Sequence, residues 1–427
     1  MYFKINSEPF RRAVELAAYI TSGKAKMDEL YRWTESVTIK ASKKRLTIYG
    51  FGDFVTVKID LHPKEDGYVC NKAGTSTVNA HELADVMQSF THPEPMCIYS
   101  EQGDVNVIRE YNPEAIKTIR ADECVTDYPG LPSRYDQVVK VHLPHFIKGI
   151  QQVRYAMAKD PKLYYYQCIF FEVRDSALRF TAGSGNRFAV YSIADSNPIS
   201  AKPDTIEIMI PKLIINNFLR VFRKVDSPTL QVKYAQKDWE NDTDPQIVFA
   251  AGNVVLAFLK LKHYCDYPDV DPILKACYPY QISTCAEDWR RVGKAIKKTY
   301  TGPDDSIPIT KMTANIRHGY FRLESTRDES FDERIDFVLG QYVADSSNEE
   351  NHQPYVKCES KFLEEIAQKG YKDGNVSVRF KDLSHYDSFP DGKPKKVTPI
   401  LFSYPPRENK DKTTEKLDIF MATSSEW

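Results

Sequence analysis

Apolar positions recur at helical spacing in three places, each after a short polar or proline-containing start. These are SEPFRRAVELAAYI (7–20), LPHFIKGIQQVRYAMA (143–158) and AEDWRRVGKAIKKTY (286–300). In the second, Phe146, Ile150, Val153 and Met157 form one helical stripe, and Trp289, Val292 and Ile296 do the same in the third. Strand-like runs follow each helix: VTIKAS and RLTIYGF, then CIFFEVRD and LRFTAG, then ITKMTANI and YFRLES. A second helix then comes in each third, at 79–90, 211–222 and 358–370. Asn79 with Glu82, and Thr284 with Glu287, have the spacing of a capping box.

More strands close each third. The first two thirds end alike, in TDYPGL (126–131) and CDYPDV (265–270), which reads as a fixed exit from a sheet. The third lacks the Tyr-Pro pair, yet TPILFSYP and KLDIFMAT correspond to QIVFAAG and VVLAFLKL. The period is about 142 residues, too long for a solenoid repeat and right for a domain. The expected fold class is α+β: three similar domains, 1–137, 138–280 and 281–427, each with two helices packed on antiparallel sheets. The polar segments Asp345–Pro354 and Pro405–Lys416 read as solvent loops or hairpin ends.

Composition narrows the classes. Basic residues number 58 and acidic ones 59, a formal charge of −1, so a chain that is basic throughout is excluded while a local basic surface is not. No apolar run reaches the roughly 20 residues of a spanning helix. The charged, amphipathic opening predicts no secretory leader, and a cytoplasmic location is expected. None of the eight cysteines is in C-x-x-C spacing, and several sit in apolar runs, so buried free thiols are expected and a zinc ribbon is not.

The helices are rich in cations. Arg290, Lys294 and Lys297 share a face opposite the Trp289 stripe, with Arg291 and Lys298 beside them. The first repeat has Arg11, Arg12, Lys24 and Lys26; the second has Lys148, Arg154, Arg220, Arg223 and Lys224. One such run is usually a solvated helix face. The same unopposed charge on corresponding helices of all three repeats points to a polyanion held through phosphates.

Candidate chemistry is sparse. GSGNR (183–187) lacks the rest of a phosphate loop and reads as a turn between strands. His142 and His145 have no third ligand at readable spacing, and no hydrolase, zincin or kinase motif occurs. No cofactor or metal is therefore expected. The run Tyr164-Tyr165-Tyr166 fits either a strand with one buried ring or rings beside a nucleic acid or a peptide groove.

The stretch 142–193, with Tyr-Tyr before a strand and a turn carrying Gly185-Asn186-Arg187-Phe188-Ala189, resembles the middle domain of the bacterial sliding clamps, the beta subunits of DNA polymerase III. The likeness continues through IMIPKLIINNFLRVF and LAFLKLKHYCDYPDV and extends more weakly over the whole chain. It implies a half-ring of three clamp domains. Two subunits would join head to tail around double-stranded DNA, with no catalysis and no membrane. DNA polymerase and clamp loader would attach through short apolar peptides.

Carried over, the resemblance puts the peptide cleft at Tyr166, Gly183, Gly185, Asn186, Arg187, Phe188, Pro268, Ile273, Phe420, Met421 and Ala422. It puts DNA contacts at Lys24, Tyr164 and Tyr165, joined by the cations Arg11, Lys26, Lys148, Arg154, Arg220, Arg223, Arg290, Lys294 and Lys297. Asn186 stands where such clamps usually carry His, and Lys297-Lys298-Thr299 where apolar residues often help the subunit contact. The alternatives are a clamp paralogue for repair or phage replication, or a DNA-modifying enzyme on a similar fold. Lys416–Phe420 reads either as a final strand or as a tethered copy of a partner peptide, with the strand favoured by its alternation.

Overall fold

The computed structural model describes residues 1–21, 35–52, 55–90, 92–101, 103–122, 135–160, 162–174, 177–185, 187–194, 200–202, 206–235, 246–258, 267–299, 309–325, 332–342, 353–380, 398–408 and 413–423. One order of elements occurs three times. The first pass is β1 (Tyr2–Asn6), α1 (Ser7–Ala18), β2 (Ser36–Ala41), β3 (Leu46–Gly52), β4 (Val55–Leu61), the short α2 (Pro63–Asp66), β5 (Val69–Lys72), β6 (Gly74–Asn79), α3 (Ala80–Gln88), β7 (Pro95–Glu101), β8 (Asp104–Arg109) and β9 (Asn112–Asp122). The second is β10 (Gln137–His142), α4 (Leu143–Val153), β11 (Cys168–Arg174), β12 (Ala177–Gly183), β13 (Arg187–Ala194), β14 (Ser200–Lys202), β15 (Ile206–Pro211), α5 (Lys212–Phe222), β16 (Thr229–Ala235), β17 (Gln246–Ala251) and β18 (Val254–Phe258). The third, after the short α6 (Asp271–Leu274), is β19 (Tyr280–Cys285), α7 (Ala286–Thr299), β20 (Ile309–Asn315), β21 (Tyr320–Ser325), β22 (Asp332–Tyr342), β23 (Tyr355–Glu359), α8 (Ser360–Lys369), β24 (Asn375–Phe380), β25 (Thr398–Glu408) and β26 (Thr414–Thr423).

The chain packs as two compact units, 1–147 with 199–206 and 212–263, and 148–198 with 207–211 and 264–427. Each has a sheet that takes strands from two sequence repeats, fourteen in the first unit and twelve in the second. The reason is strand pairing. In the first unit β18, the last strand of the second repeat, pairs antiparallel with β4 of the first, Val254 opposite Ile59. In the second unit β26 pairs antiparallel with β13, Phe420 opposite Phe188. The compact units therefore cut across the middle sequence repeat.

Helix stripes and strand faces meet as their spacing requires. In the first unit Phe146 meets Phe218 at 5.3 Å and Phe249 at 6.0 Å between ring centroids. In the second, Trp289 sets its edge against Phe402 at 5.1 Å. Burying such aromatic side chains removes a large apolar area from water and is the main source of stability here.

Local details correct some expectations. Asn79 does cap α3, its side chain accepting from the N–H groups of His81 and Glu82 at 3.0 and 3.1 Å. Thr284 does not cap α7: it lies in β19, and its hydroxyl takes the Trp289 indole N–H at 2.7 Å and donates to the Val376 carbonyl at 3.3 Å. Tyr164–Gln167 is a turn of 3-10 helix, not a strand. Pro405–Lys416 is less loop than expected, because β25 runs to Glu408 and β26 begins at Thr414. Lys416–Phe420 lies within β26, so the strand reading holds. Cys168 and Cys358 are buried, but Cys277 and Cys285 are exposed. Burial pushes the Cys168 thiol up to about 12. Among the described residues no helix is long and apolar enough to cross a membrane.

Candidate functional site

The strand pairing that joins β13 to β26 also builds an apolar cluster. Side chains alternate along a strand, so Phe188 and Val190 of β13 share a face with Asp418 and Phe420 of β26 and Leu401 of β25. The long helices pack against the opposite face, where Phe402 meets Trp289. Phe188 and Phe420 stack at 4.9 Å with their planes 19° apart. Tyr267, Val270 and Tyr278, from the segment before β19, close over them, and Tyr166, Phe170, Met209, Ile273 and Leu274 line the margin.

Each ring is held. Tyr166 sets its edge on Phe188 at 5.5 Å and on Tyr267 at 6.2 Å, and Phe170 stacks on Tyr267 at 5.2 Å. The Tyr278 hydroxyl donates to the Ile273 carbonyl at 3.0 Å. Asp271 fixes α6 to β12: its carboxylate meets Arg179 at 2.6 Å and Lys275 at 3.2 Å. Burial alone would push that carboxyl up, but Arg179 and Lys275 outweigh it and hold it below the ordinary range. Glu172, 3.6 Å from Arg179, goes the other way; burial raises its carboxyl despite that partner.

The turn before β13 needs its glycines. Gly185 has φ +86°, where an L side chain is strained. A Cβ on Gly183 would lie 2.4 Å from the Phe188 ring, so the bare backbone is what lets that ring lie flat. The Ser184 N–H closes the turn on the Arg187 carbonyl at 3.0 Å, which bears out the turn reading of 183–187.

Of the expected cleft residues, the structure gathers Tyr166, Phe188, Ile273 and Phe420, with the half-buried Pro268 beside Tyr267. Arg187 and Met421 pair with each other on the opposite face. There the Arg187 guanidinium donates to the Tyr155 carbonyl at 3.0 Å, pairs with Glu365 and lies 5.0 Å over the Phe362 ring. Burial lowers its pKa. Arg187 is thus a strut behind the cluster rather than part of it. Asn186 and the Ala422 side chain lie outside the described residues. Sequence reasoning missed Phe170, Met209, Tyr267, Val270 and Tyr278. Tyr267 did carry a signal, the repeated Tyr-Pro exit.

The expected DNA-facing cations fall into two groups. Arg154, Arg220, Arg223 and Lys294 are exposed, and Arg290 is half-buried. Much of the charge is less unopposed than expected. Arg11 pairs with Glu15 at 3.2 Å, Arg12 with Glu8 at 2.5 Å, and Arg291 with Glu333. Lys148 is turned to the buried Glu415, at 2.5 and 2.6 Å from its two oxygens. Lys24, Lys26 and the side chains of Tyr164, Tyr165 and Lys297 lie outside the described residues. Among the described residues no three His, Cys, Asp or Glu side chains are grouped to hold a metal.

This architecture is the sliding-clamp fold. The chain superposes on a DNA polymerase sliding clamp from Pseudomonas aeruginosa with a TM-score of 0.72 at 15% identity, covering 99% of both chains. The beta subunit of the Streptococcus pyogenes DNA polymerase gives 0.73 at 13% identity, again over 99% of both. In sequence the chain is 21% identical over 230 residues to the beta sliding clamp of Haemophilus influenzae, a match spanning 53% of this chain and 58% of that protein. No family model matches.

Proposed function

We propose that the protein is a DNA sliding clamp: a non-catalytic scaffold that encircles duplex DNA and tethers a DNA polymerase and other partners through the cleft. The observation that carries this is the conjunction of a clamp fold along the whole chain with an aromatic cluster at the β13–β26 junction. The sequence repeats 1–137, 138–280 and 281–427 are then its clamp domains, and cytoplasm is its place of work.

Strand edges support a ring of two copies. β4 and β13, each the third strand after the first strand of its repeat, are paired on both sides. Their counterpart β22 pairs with β21 over Asp332–Asp336, and among the described residues no strand lies on its other side there. The last strands β18 and β26 each close a junction between repeats, whereas β9 pairs with β8 over Ile116–Arg120 and has no such partner among the described residues. Among these junction strands and their counterparts, the edges of β9 and β22 are left, and a second copy supplies the complement of each. The exposed cations Arg154, Arg220, Arg223 and Lys294 suit sequence-blind phosphate contact. Topology then supplies retention, and the cleft raises the local concentration of the enzyme it holds.

The test is retention on a nicked circular plasmid after loading by a clamp loader, followed by linearisation. Retention on circles that is lost on cutting is expected. Equal, salt-sensitive binding to both forms would mean an ordinary basic surface and would overturn the proposal.

A further inference from the structure

One position recurs three residues ahead of the second helix of each repeat: Thr77 before α3, Met209 before α5 and Lys357 before α8. The three repeats fill it differently. In the first, Thr77 stands opposite Thr38, both 1% exposed, and their hydroxyls share a hydrogen bond at 2.8 Å. In the second, Met209 lies with Phe170 at the margin of the apolar cluster, and Tyr267 of the Tyr-Pro exit stacks on Phe170 at 5.2 Å. In the third, Lys357 stands directly opposite Lys311. Both lysines are half-buried, and their ammonium groups lie 5.8 and 4.7 Å from the centre of the Tyr355 ring. Like charges directly opposite each other weaken strand pairing. The nearby acids are turned elsewhere. Glu324, opposite Lys311 on its other side, meets Arg322 at 3.2 Å, and Asp336 meets Arg334 at 2.9 Å. Glu359 lies in the field of Arg187 and Lys361. Among the described residues neither Lys311 nor Lys357 has an ion pair. The Thr313 hydroxyl, on the residue opposite Tyr355, is buried with no hydrogen-bond partner. Buried polar groups are nearly always satisfied, so this place calls for a further group.

We propose that this face of the third repeat docks a short acidic peptide segment of a partner protein, its carboxylates received by Lys311 and Lys357 beside the Tyr355 ring. The proposal goes beyond the clamp reading and stands apart from the β13–β26 cluster. It also stands apart from the subunit contact, because β20 and β23 lie at the far end of the run β23-β20-β21-β22 from the β22 edge. Charge sets the sign. Each ammonium has three donors and no acceptor, so two of them without an ion pair suit carboxylates. The second repeat sets the kind of occupant. There the corresponding place is covered by Tyr267 and Val270 of this chain's own exit segment, so a peptide fits over such a face. Glu324 and Asp336 share the face and would repel a long polyanion such as DNA, whereas a short acidic stretch meets the lysines alone.

Three labelled, acetylated pentapeptides test this. Each has a central Tyr flanked on both sides by Glu, Gln or Lys, with a Gly at either end, and none carries an aliphatic residue. Fluorescence anisotropy with the whole protein at low salt should show the Glu peptide binding about tenfold more tightly than the Gln peptide, with Lys weakest. Lys311→Thr with Lys357→Thr copies the pair of the first repeat. It should remove the preference and leave the melting temperature unchanged or raised. Lys311→Glu with Lys357→Glu should turn the preference to the Lys peptide. Equal binding of the three peptides, binding of none, or a preference that survives the threonine variant would overturn the proposal. A lower melting temperature in the threonine variant would overturn it too, by showing that the lysines support the strand pairing. So would a labelled single-stranded oligonucleotide that binds more tightly than the Glu peptide and loses that lead in the same variant, which would give the face to nucleic acid.

Discussion

Two junctions between repeats use the same pairing and end in different surfaces. On the face of β4 and β18 turned from the long helices, Thr56 sits opposite Ala257, two small side chains. Two rows on, Asp60 is fully engaged: Thr47 donates to it at 2.7 Å, Lys58 meets it at 2.9 Å and Arg45 at 3.5 Å. At β13 and β26 the corresponding face carries Phe188 opposite Phe420, and the aspartate there, Asp418, keeps one oxygen unpaired. One backbone solution thus serves two ends. Where polar groups satisfy each other the junction only holds the unit together. Where large rings gather and an acceptor stays unpaired, it also carries the cluster that we read as a partner site.

The largest effect expected follows from the rings. Phe420→Ala removes a side chain that is 2% exposed and should cost about 3–5 kcal/mol, read as an earlier transition of the second unit in chemical denaturation. Ala257 cannot be truncated to similar effect, and Thr56→Ala should cost under about 1.5 kcal/mol. Next comes Gly183→Ala. Its new Cβ meets the Phe188 ring, so about 1–3 kcal/mol should be lost and peptide affinity should fall with it.

The two aspartates should respond oppositely. Asp60→Ala leaves three partners without their acceptor and should destabilise by about 1 kcal/mol. Asp418→Val removes an unsatisfied acceptor from a buried place and should be neutral or stabilising; a clear loss would erase the contrast. The smallest effect is at acid pH. Asp271 has a lowered pKa in the fold, so its contribution is complete above the ordinary carboxyl value of 3.8 and fades as pH falls through its lower native value. Arg179→Ala should bring that loss to higher pH, measured by melting between pH 5 and pH 2.

Much of this was legible in the chain. Helix stripes such as Phe146–Ile150–Val153 and the alternation in KLDIF fix their elements by period alone, and the threefold order of elements follows. The i, i+4 spacing of Arg11 with Glu15 was equally readable. Lys148 with Glu415 was not, because only the β13–β26 pairing brings them together. Asp418 failed for the same reason: in one strand it is an ordinary polar alternate, and its burial comes from Val190 and Ser403 on two other strands. Tyr267 was visible as a motif but read as an exit from a sheet, since nothing local says that a ring will fold back onto Phe170.

The contrast between the junctions is tested most directly by photo-crosslinking. A labelled apolar hexapeptide that contains benzoylphenylalanine would be irradiated with the whole protein and the adducts mapped by mass spectrometry. Adducts confined to 166–190, 267–278 and 401–420 are expected. Adducts of equal yield at 47–60 and 253–257 would contradict the claim that only the second junction is a docking surface.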